Sequence, residues 1–169
     1  MTVILRRPAV RNGLGVGPLG FEQFQTAYVT NDIDRACEVF ADRYGISSFR
    51  RLEGALQEGG RIRIEIAWAG GALYELVCAT GAGSQFYVNR LPAQGFAIRH
   101  HHLGFLVPDA AGWDRLQQLI EHGGWKVALR TVVPGFMQAC YIEAPELEHY
   151  LEYLLPEPAG LDFFETAPS

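Results

Sequence analysis

Three consecutive histidines, His100, His101 and His102, sit in the stretch RHHHLGFLVPD in the middle of this 169-residue chain. They become informative through a fixed spacing. Gln25 in QTAYVTND lies 77 residues before His102 in HLGFLVPD, and Glu75 in LYELV lies 77 before Glu152 in LEYL (102 − 25 = 77; 152 − 75 = 77). An imidazole, an amide oxygen and two carboxylates make a mixed nitrogen and oxygen donor set suited to Zn, Ni, Co, Mn or Fe. Two carboxylates facing each other repel, and burying them is costly unless a cation lies between them. Taken singly, a strand glutamate is an outward, solvated residue and a strand histidine is a hydrogen-bonded one. The shared offset argues that these four act together.

The elements that must position them repeat at the same interval. FEQFQTAYV reads as a strand, followed by a helix that begins at Asn31/Asp32 and stops at Gly45, with Ile33, Ala36, Cys37, Phe40 and Tyr44 on one stripe. SSFRRLE, RIRIEIAWA and ALYELVCA follow as strands. The order then returns: HHHLGFLV, a helix capped by Asp109 and ended by Gly123-Gly124, then WKVALRTVV, FMQACYIEA and LEHYLEYLL. This divides the chain into an arm (1–20), a first βαβββ module (21–80), a linker helix with Ser84 as N-cap (81–98), a second module (99–155) and a tail (156–169), all within one α+β domain.

Alternation along the strands assigns faces. Phe24 and Tyr28 go to the helix side and Gln25 away. Tyr74, Leu76 and Cys78 pack, and Glu75 points away. Leu103, Phe105 and Val107 pack, and His102 points away with His100. Leu147, Leu151, Tyr153 and Leu155 pack, and Glu152 points away with Glu148 and Tyr150. Gln25, Glu75, His102 and Glu152 therefore share one face. In RIRIEIAWA the isoleucines and Trp68 read as the packed set, which sends Arg63 and Glu65 to the pocket side. There Arg63 would hold a substrate anion or form a structural pair with a glutamate. Tyr150 and Glu148 are either pocket or barrel-lining residues. Phe136, Met137 and Tyr87 are lid or packing residues, with a turn at Pro134-Gly135 on the rim.

Composition narrows the classes. The net charge of −5 and the absence of a Lys/Arg run argue against a nucleic-acid partner. No apolar run reaches membrane-spanning length, and three cysteines without CxxC spacing read as free thiols, so a cytoplasmic location is expected.

The segments QTAYVTNDIDRACEVF, ALYELV, HHLGFLVPD and HYLEYL together resemble the vicinal oxygen chelate superfamily, which includes glyoxalase I, methylmalonyl-CoA epimerase, extradiol dioxygenases and bleomycin-resistance proteins. The resemblance covers roughly residues 21–155. It implies eight strands curled into an open barrel around one divalent metal ion, with Gln25, Glu75, His102 and Glu152 as ligands. It also implies that a metal-shell glutamate serves as base, here Glu152 with Glu75 as its counterpart, and that homodimers are common. Gln25 at the place of the first histidine argues against a dioxygenase, and the full ligand set argues against a metal-free bleomycin-resistance-type binder. The implied function is a glyoxalase-like metal-dependent isomerase, epimerase or lyase. It would move a proton next to a metal-bound carbonyl of a small organic substrate. A metal-free small-molecule binder and an Fe(II) dioxygenase are the alternatives. Glutathione, CoA and aromatic or terpenoid substrates all stay open. His100, Arg63, Tyr150 and Phe136 are the expected pocket residues.

Overall fold

In the computed structural model, residues 20–169 are described; most of the expected N-terminal arm lies outside them. Strand β1 (Glu22–Thr30) leads into helix α1 (Ile33–Tyr44), then β2 (Arg50–Ala55), β3 (Arg61–Ala69) and β4 (Ala72–Thr80). A short helix, α2 (Gln85–Val88), connects to β5 (Ile98–Leu106), α3 (Ala110–Gly123), β6 (Val127–Val133), β7 (Met137–Ala144), β8 (His149–Pro156) and α4 (Pro158–Glu165). The two βαβββ units form one mixed eight-stranded sheet of order β2-β3-β4-β1-β5-β8-β7-β6, a curled half-barrel.

The helices begin and end where their chemistry dictates. Asp32 accepts the backbone N–H of Arg35 at 3.1 Å, and Asp109 accepts that of Gly112 at 2.7 Å. Gly45 (φ 72°) and Gly124 (φ 62°) terminate them in the left-handed region. Ser84 differs from expectation. It precedes α2 with helical dihedrals and no side-chain cap hydrogen bond.

Helix α1 buries Ile33, Ala36 and Phe40 against Leu76 and Ala67. Helix α3 buries Leu116 and Ile120 against Phe105, Val107, Leu151 and Tyr153. The other sheet face is left to form the barrel interior. The carboxy-terminal segment closes over it: the Trp68 indole N–H donates to the Phe164 carbonyl at 2.9 Å, and the Trp68 backbone N–H to that of Pro168 at 2.7 Å.

The central strands carry the duplication in their register. Ala27 faces Glu75 across the parallel β1/β4 pair, and Gly104 faces Glu152 across the parallel β5/β8 pair. Between the modules, β1 runs antiparallel to β5, with Gln25 opposite Gly104 and Ala27 opposite His102. Each of the two residues opposite a site side chain across this seam is small. A Cβ on Gly104 would lie 2.8 Å from the Gln25 Cβ and 3.1 Å from its Oε1. Gly104→Ala should therefore cost about 1–3 kcal/mol of stability, the range for overpacking a close contact. Urea unfolding of the variant checks this, and an unchanged midpoint would contradict the tight seam.

Several facing assignments need correction. Ile62, Ile64 and Ile66 of β3 face the barrel interior, while Arg63 and Glu65 lie on the α1 side. There Arg63 pairs with Asp34 at 2.8 Å and with Glu65 at 2.7 Å, and Arg51 reaches Glu65 at 2.7 Å. Both faces of β3 are covered, so hydrophobicity alone did not mark the helix side. Phe24 packs edge-on against Phe164 of α4 because a register irregularity between Gln23 and Gln25 displaces it. Leu147 and Glu148 precede β8 in a single turn of 3-10 helix. Leu147 is exposed, and Glu148 takes a left-handed conformation (φ 56°).

Candidate active site

Gln25, Glu75, His102 and Glu152 come together at the floor of the half-barrel. All four are buried, with relative exposures of 2%, 8%, 1% and 4%. His102 Nε2 lies 3.1 Å from Glu75 Oε2 and 2.9 Å from Glu152 Oε2. It is 3.3 Å from Gln25 Nε2, whose amide donates to Glu75. One ligand atom from each of Glu75, His102 and Glu152 lies within 4.8 Å of the others. Donor atoms about 2.1 Å from a shared ion sit roughly 3.0–4.2 Å apart, so the set is close to coordinating separations.

The hydrogen bonding around His102 fits a ligand better than a closed ion pair. The Phe86 carbonyl can only accept, so His101 Nε2, 3.1 Å away, carries its proton and donates. Burial and the neighbouring His102 push the His101 pKa down to about 3, so its ring is neutral and Nδ1 is bare. That nitrogen accepts from His102 Nδ1 at 2.9 Å. In neutral His102 the lone pair therefore lies on Nε2, aimed between the two carboxylates. This is the orienting contact usual behind a metal-bound imidazole. Gln25 Oε1 and Glu152 Oε2 are buried without a directed hydrogen bond. Two such orphaned acceptors beside a bare imidazole nitrogen are what a cation would satisfy.

Without a cation the charges must be balanced by a proton. Burial opposes ionisation of His102, but Glu152 and Glu75 outweigh it and lift its pKa to about 10. Burial raises the Glu75 pKa, with Glu152 acting in the same sense and His102 and Gln25 opposing.

Above this floor opens a cavity of about 690 Å³. Gln25, Glu75 and Glu152 contribute to its lining, together with Ile64 and Ile66 from one module and Leu129 and Met137 from the other. Phe163 and Phe164 of α4 form a further wall. Phe136 lines it as expected, beyond the Pro134-Gly135 turn with Gly135 at φ 78°. Sequence reasoning did not single out Tyr141. It faces Glu152 across β7/β8, and its ring lies edge-on to His102 with centroids 5.3 Å apart. Burial and then Glu152 raise its pKa well above the usual phenol value, so it keeps its proton. Its alternation with Ala139, also in the lining, was the available signal.

Three expected pocket residues lie elsewhere. Arg63 is on the α1 side. A register shift at Ala27/Tyr28 turns His100 away to pack edge-on against Tyr28 and at a tilt against His149, at centroid distances of 5.7 and 4.8 Å. Tyr150 is packed beneath α2 against Phe86 and His101, with the Arg90 guanidinium 4.9 Å above its ring. Neither His100 nor Tyr150 lines the cavity.

No protein-family model and no curated protein matches the sequence. Solved structures do match. Methylmalonyl-CoA epimerase from Mycobacterium tuberculosis aligns over 88% of this chain and 95% of its own, with TM-score 0.58 and 14% identity. A Streptomyces coelicolor methylmalonyl-CoA epimerase variant in complex with 2-nitronate-propionyl-CoA aligns over 80% and 96%, with TM-score 0.55 and 15% identity. A variant of 4-hydroxymandelate synthase from Streptomyces coelicolor aligns over 79% of this chain and 47% of its own, with TM-score 0.54 and 13% identity. These neighbours are vicinal oxygen chelate proteins, and this chain has the fold of that superfamily. Among the described residues, no helix is long and apolar enough to cross a membrane.

The raised pKa of His102 has a sign that can be checked. Its contribution to stability is full below the ordinary imidazole value of ~6.5 and is lost as pH rises towards about 10. The raised Glu75 pKa acts in the same direction. Chelator-treated protein should lose thermal stability between neutral pH and pH ~10, and His102→Ala should flatten that slope. Thermal unfolding followed by circular dichroism across this range decides the matter.

Proposed function

We propose that this protein is a metal-dependent isomerase, epimerase or lyase that moves a proton next to a carbonyl of a small organic substrate. The observation that carries the reading is the convergence of Glu75, His102 and Glu152 at the floor of a cavity, with the His102 Nε2 lone pair set by His101. Gln25, Glu75, His102 and Glu152 would hold one divalent ion, with Gln25 turning its orphaned Oε1 inward. A zinc, nickel, cobalt or manganese ion at this place supplies Lewis acidity to a substrate carbonyl oxygen.

The chain's own groups then divide the remaining work. Glu152 takes the proton from the carbon beside the carbonyl and returns it on the same or the opposite side. Glu75 faces it across the floor as the second carboxylate, and burial raises its own pKa above the usual carboxylate range. The Tyr141 phenol, held protonated, lies opposite Glu152 across β7/β8 and edge-on to His102, where it flanks the base. The apolar walls exclude water, which strengthens each of these interactions.

A second reading has its own support. In the absence of an ion, a proton on His102 offsets one carboxylate and burial favours a second proton on Glu75, so the cavity is also compatible with a metal-free binder of small molecules. An Fe(II) oxygenase is the less favoured case, since the converging set has one histidine and two carboxylates where the usual facial triad has two histidines and one.

Metal analysis of chelator-free, tag-free protein separates these. About one Zn, Ni, Co or Mn per chain is expected in the wild type and loss of it in His102→Ala. Glu152→Gln should retain the fold and lose ~10²-fold or more in turnover once a substrate is in hand. Because uptake displaces the His102 proton, apparent metal affinity should rise about tenfold per pH unit below pH ~10. Proton release on titration with Zn²⁺ in weak buffer reads this directly. Iron in the purified protein would favour the oxygenase, and no uptake of any divalent ion would leave the binder.

A further inference from the structure

The chemistry of the cavity walls narrows the substrate class. We propose that the cavity takes a neutral, largely hydrocarbon molecule bearing its reactive oxygen at one end, rather than an acyl group carried on an anionic handle such as CoA or glutathione. The proposal rests on the cavity being the substrate site.

Polarity is graded along the cavity. Its floor holds the acceptors Gln25, Glu75 and Glu152, and its walls are the aliphatic faces of β3 and β6 and the aromatic face of α4, with Ile64, Leu129 and Phe163 as examples. An apolar ligand body matches such walls by the ordinary hydrophobic gain, and one polar end matches the floor. A volume of about 690 Å³ falls within the ~300–1,000 Å³ range of pockets that take a small organic ligand.

The electrostatics point the same way. Glu58, in the β2–β3 turn, lies exposed at the rim of the cavity, while Glu53 lies opposite Arg63 across β2/β3 and turns to the α1 side with Arg51. Among the described residues no lysine or arginine lines the cavity. A phosphate or carboxylate entering here finds no cationic side chain to pair with, and Glu58 at the rim repels it. A neutral molecule meets none of that repulsion.

The test uses the full-length chain, treated with chelator so that its result does not depend on metal. N-phenyl-1-naphthylamine, a neutral apolar fluorophore, is titrated into the protein, and octanoyl-CoA is the competitor. The expected result is one saturable site for the fluorophore, bound at least about tenfold more tightly than octanoyl-CoA. Ile64→Trp on one wall should weaken fluorophore binding about tenfold by filling the site. Leu129→Trp on the opposite wall gives the same test should the first variant misfold, with circular dichroism reporting the fold. The substitution Glu58→Lys at the rim should tighten octanoyl-CoA binding and leave the fluorophore unchanged. Displacement of the fluorophore by octanoyl-CoA at equal or lower concentration would overturn the proposal, as would failure of the folded wild type to bind the fluorophore. Metal uptake, measured separately, is untouched by either outcome, so the failure of the proton-transfer reading and the failure of this substrate class are distinguishable.

Discussion

Two carboxylates, Glu75 and Glu152, are buried within hydrogen-bonding distance of one imidazole, and the rest of the structure is arranged around that fact. Such a pair cannot stay ionised in a low-dielectric interior without a compensating positive charge. The imidazolium of His102 or a divalent cation in its place supplies it. Either solution demands a fixed ring orientation. The relay from the Phe86 carbonyl through His101 to His102 provides one, because neither histidine can flip without leaving a buried nitrogen or carbonyl unpaired. That is why the linker between the modules bears on the chemistry. Helix α2 contributes the carbonyl at the far end of the relay and also stacks Tyr87 on His101, at a centroid distance of 5.5 Å.

Duplication is the economical way to bring two carboxylates together. Each module places one polar residue on its first strand and one glutamate on its last, and the parallel pairs β1/β4 and β5/β8 hold them in the same register. Joining the modules through β1 and β5 then turns two copies of a two-residue pattern into one four-residue cluster. Small residues at the seam are a necessary part of this. Gly104 lies opposite Gln25 because a side chain there would occupy the space of the Gln25 side chain itself. The same geometry separates the roles of the two sheet faces: helices seal the outer one, and the inner one is free to be a site.

The parts legible in the sequence were those governed by local periodicity and by the repeat. The caps at Asp32 and Asp109, the glycine stops and the four clustered residues all follow from spacing, since a register shared by both modules preserves a constant offset. Alternation failed where the strands are irregular. The shift at Ala27/Tyr28 breaks the count between His102 and His100, and β8 begins only after the left-handed Glu148, so Leu147 and Glu148 have no strand face. It failed for a different reason in β3. There the cavity is as apolar as the core beneath α1, so the isoleucines mark the wrong side, and Arg63, expected at the pocket, lies under α1. Tyr150 kept its expected face but lies too far along β8, under α2. Contributions from Phe163 and Phe164 depend on how the sheet curls and where the tail returns, which no short window encodes.

That the inner face is apolar and yet not packed shut is itself informative. A half-barrel with isoleucine, leucine and phenylalanine on its walls gains by closing, and large side chains from the two modules would meet across it. Here the tail helix α4 covers one flank through Phe163, Phe164 and the Trp68 hydrogen bonds, while the hairpins carrying Glu53 and Gly135 leave the other side open. The fold thus gives up packing where it keeps a polar floor accessible, and restores it wherever no polar group has to be reached. A cavity with a charged floor and hydrocarbon walls separates the two tasks of a site. Its walls supply affinity without regard to the reacting atoms, and its floor acts only on the atoms that touch it, which is the division that lets binding energy be spent on orientation.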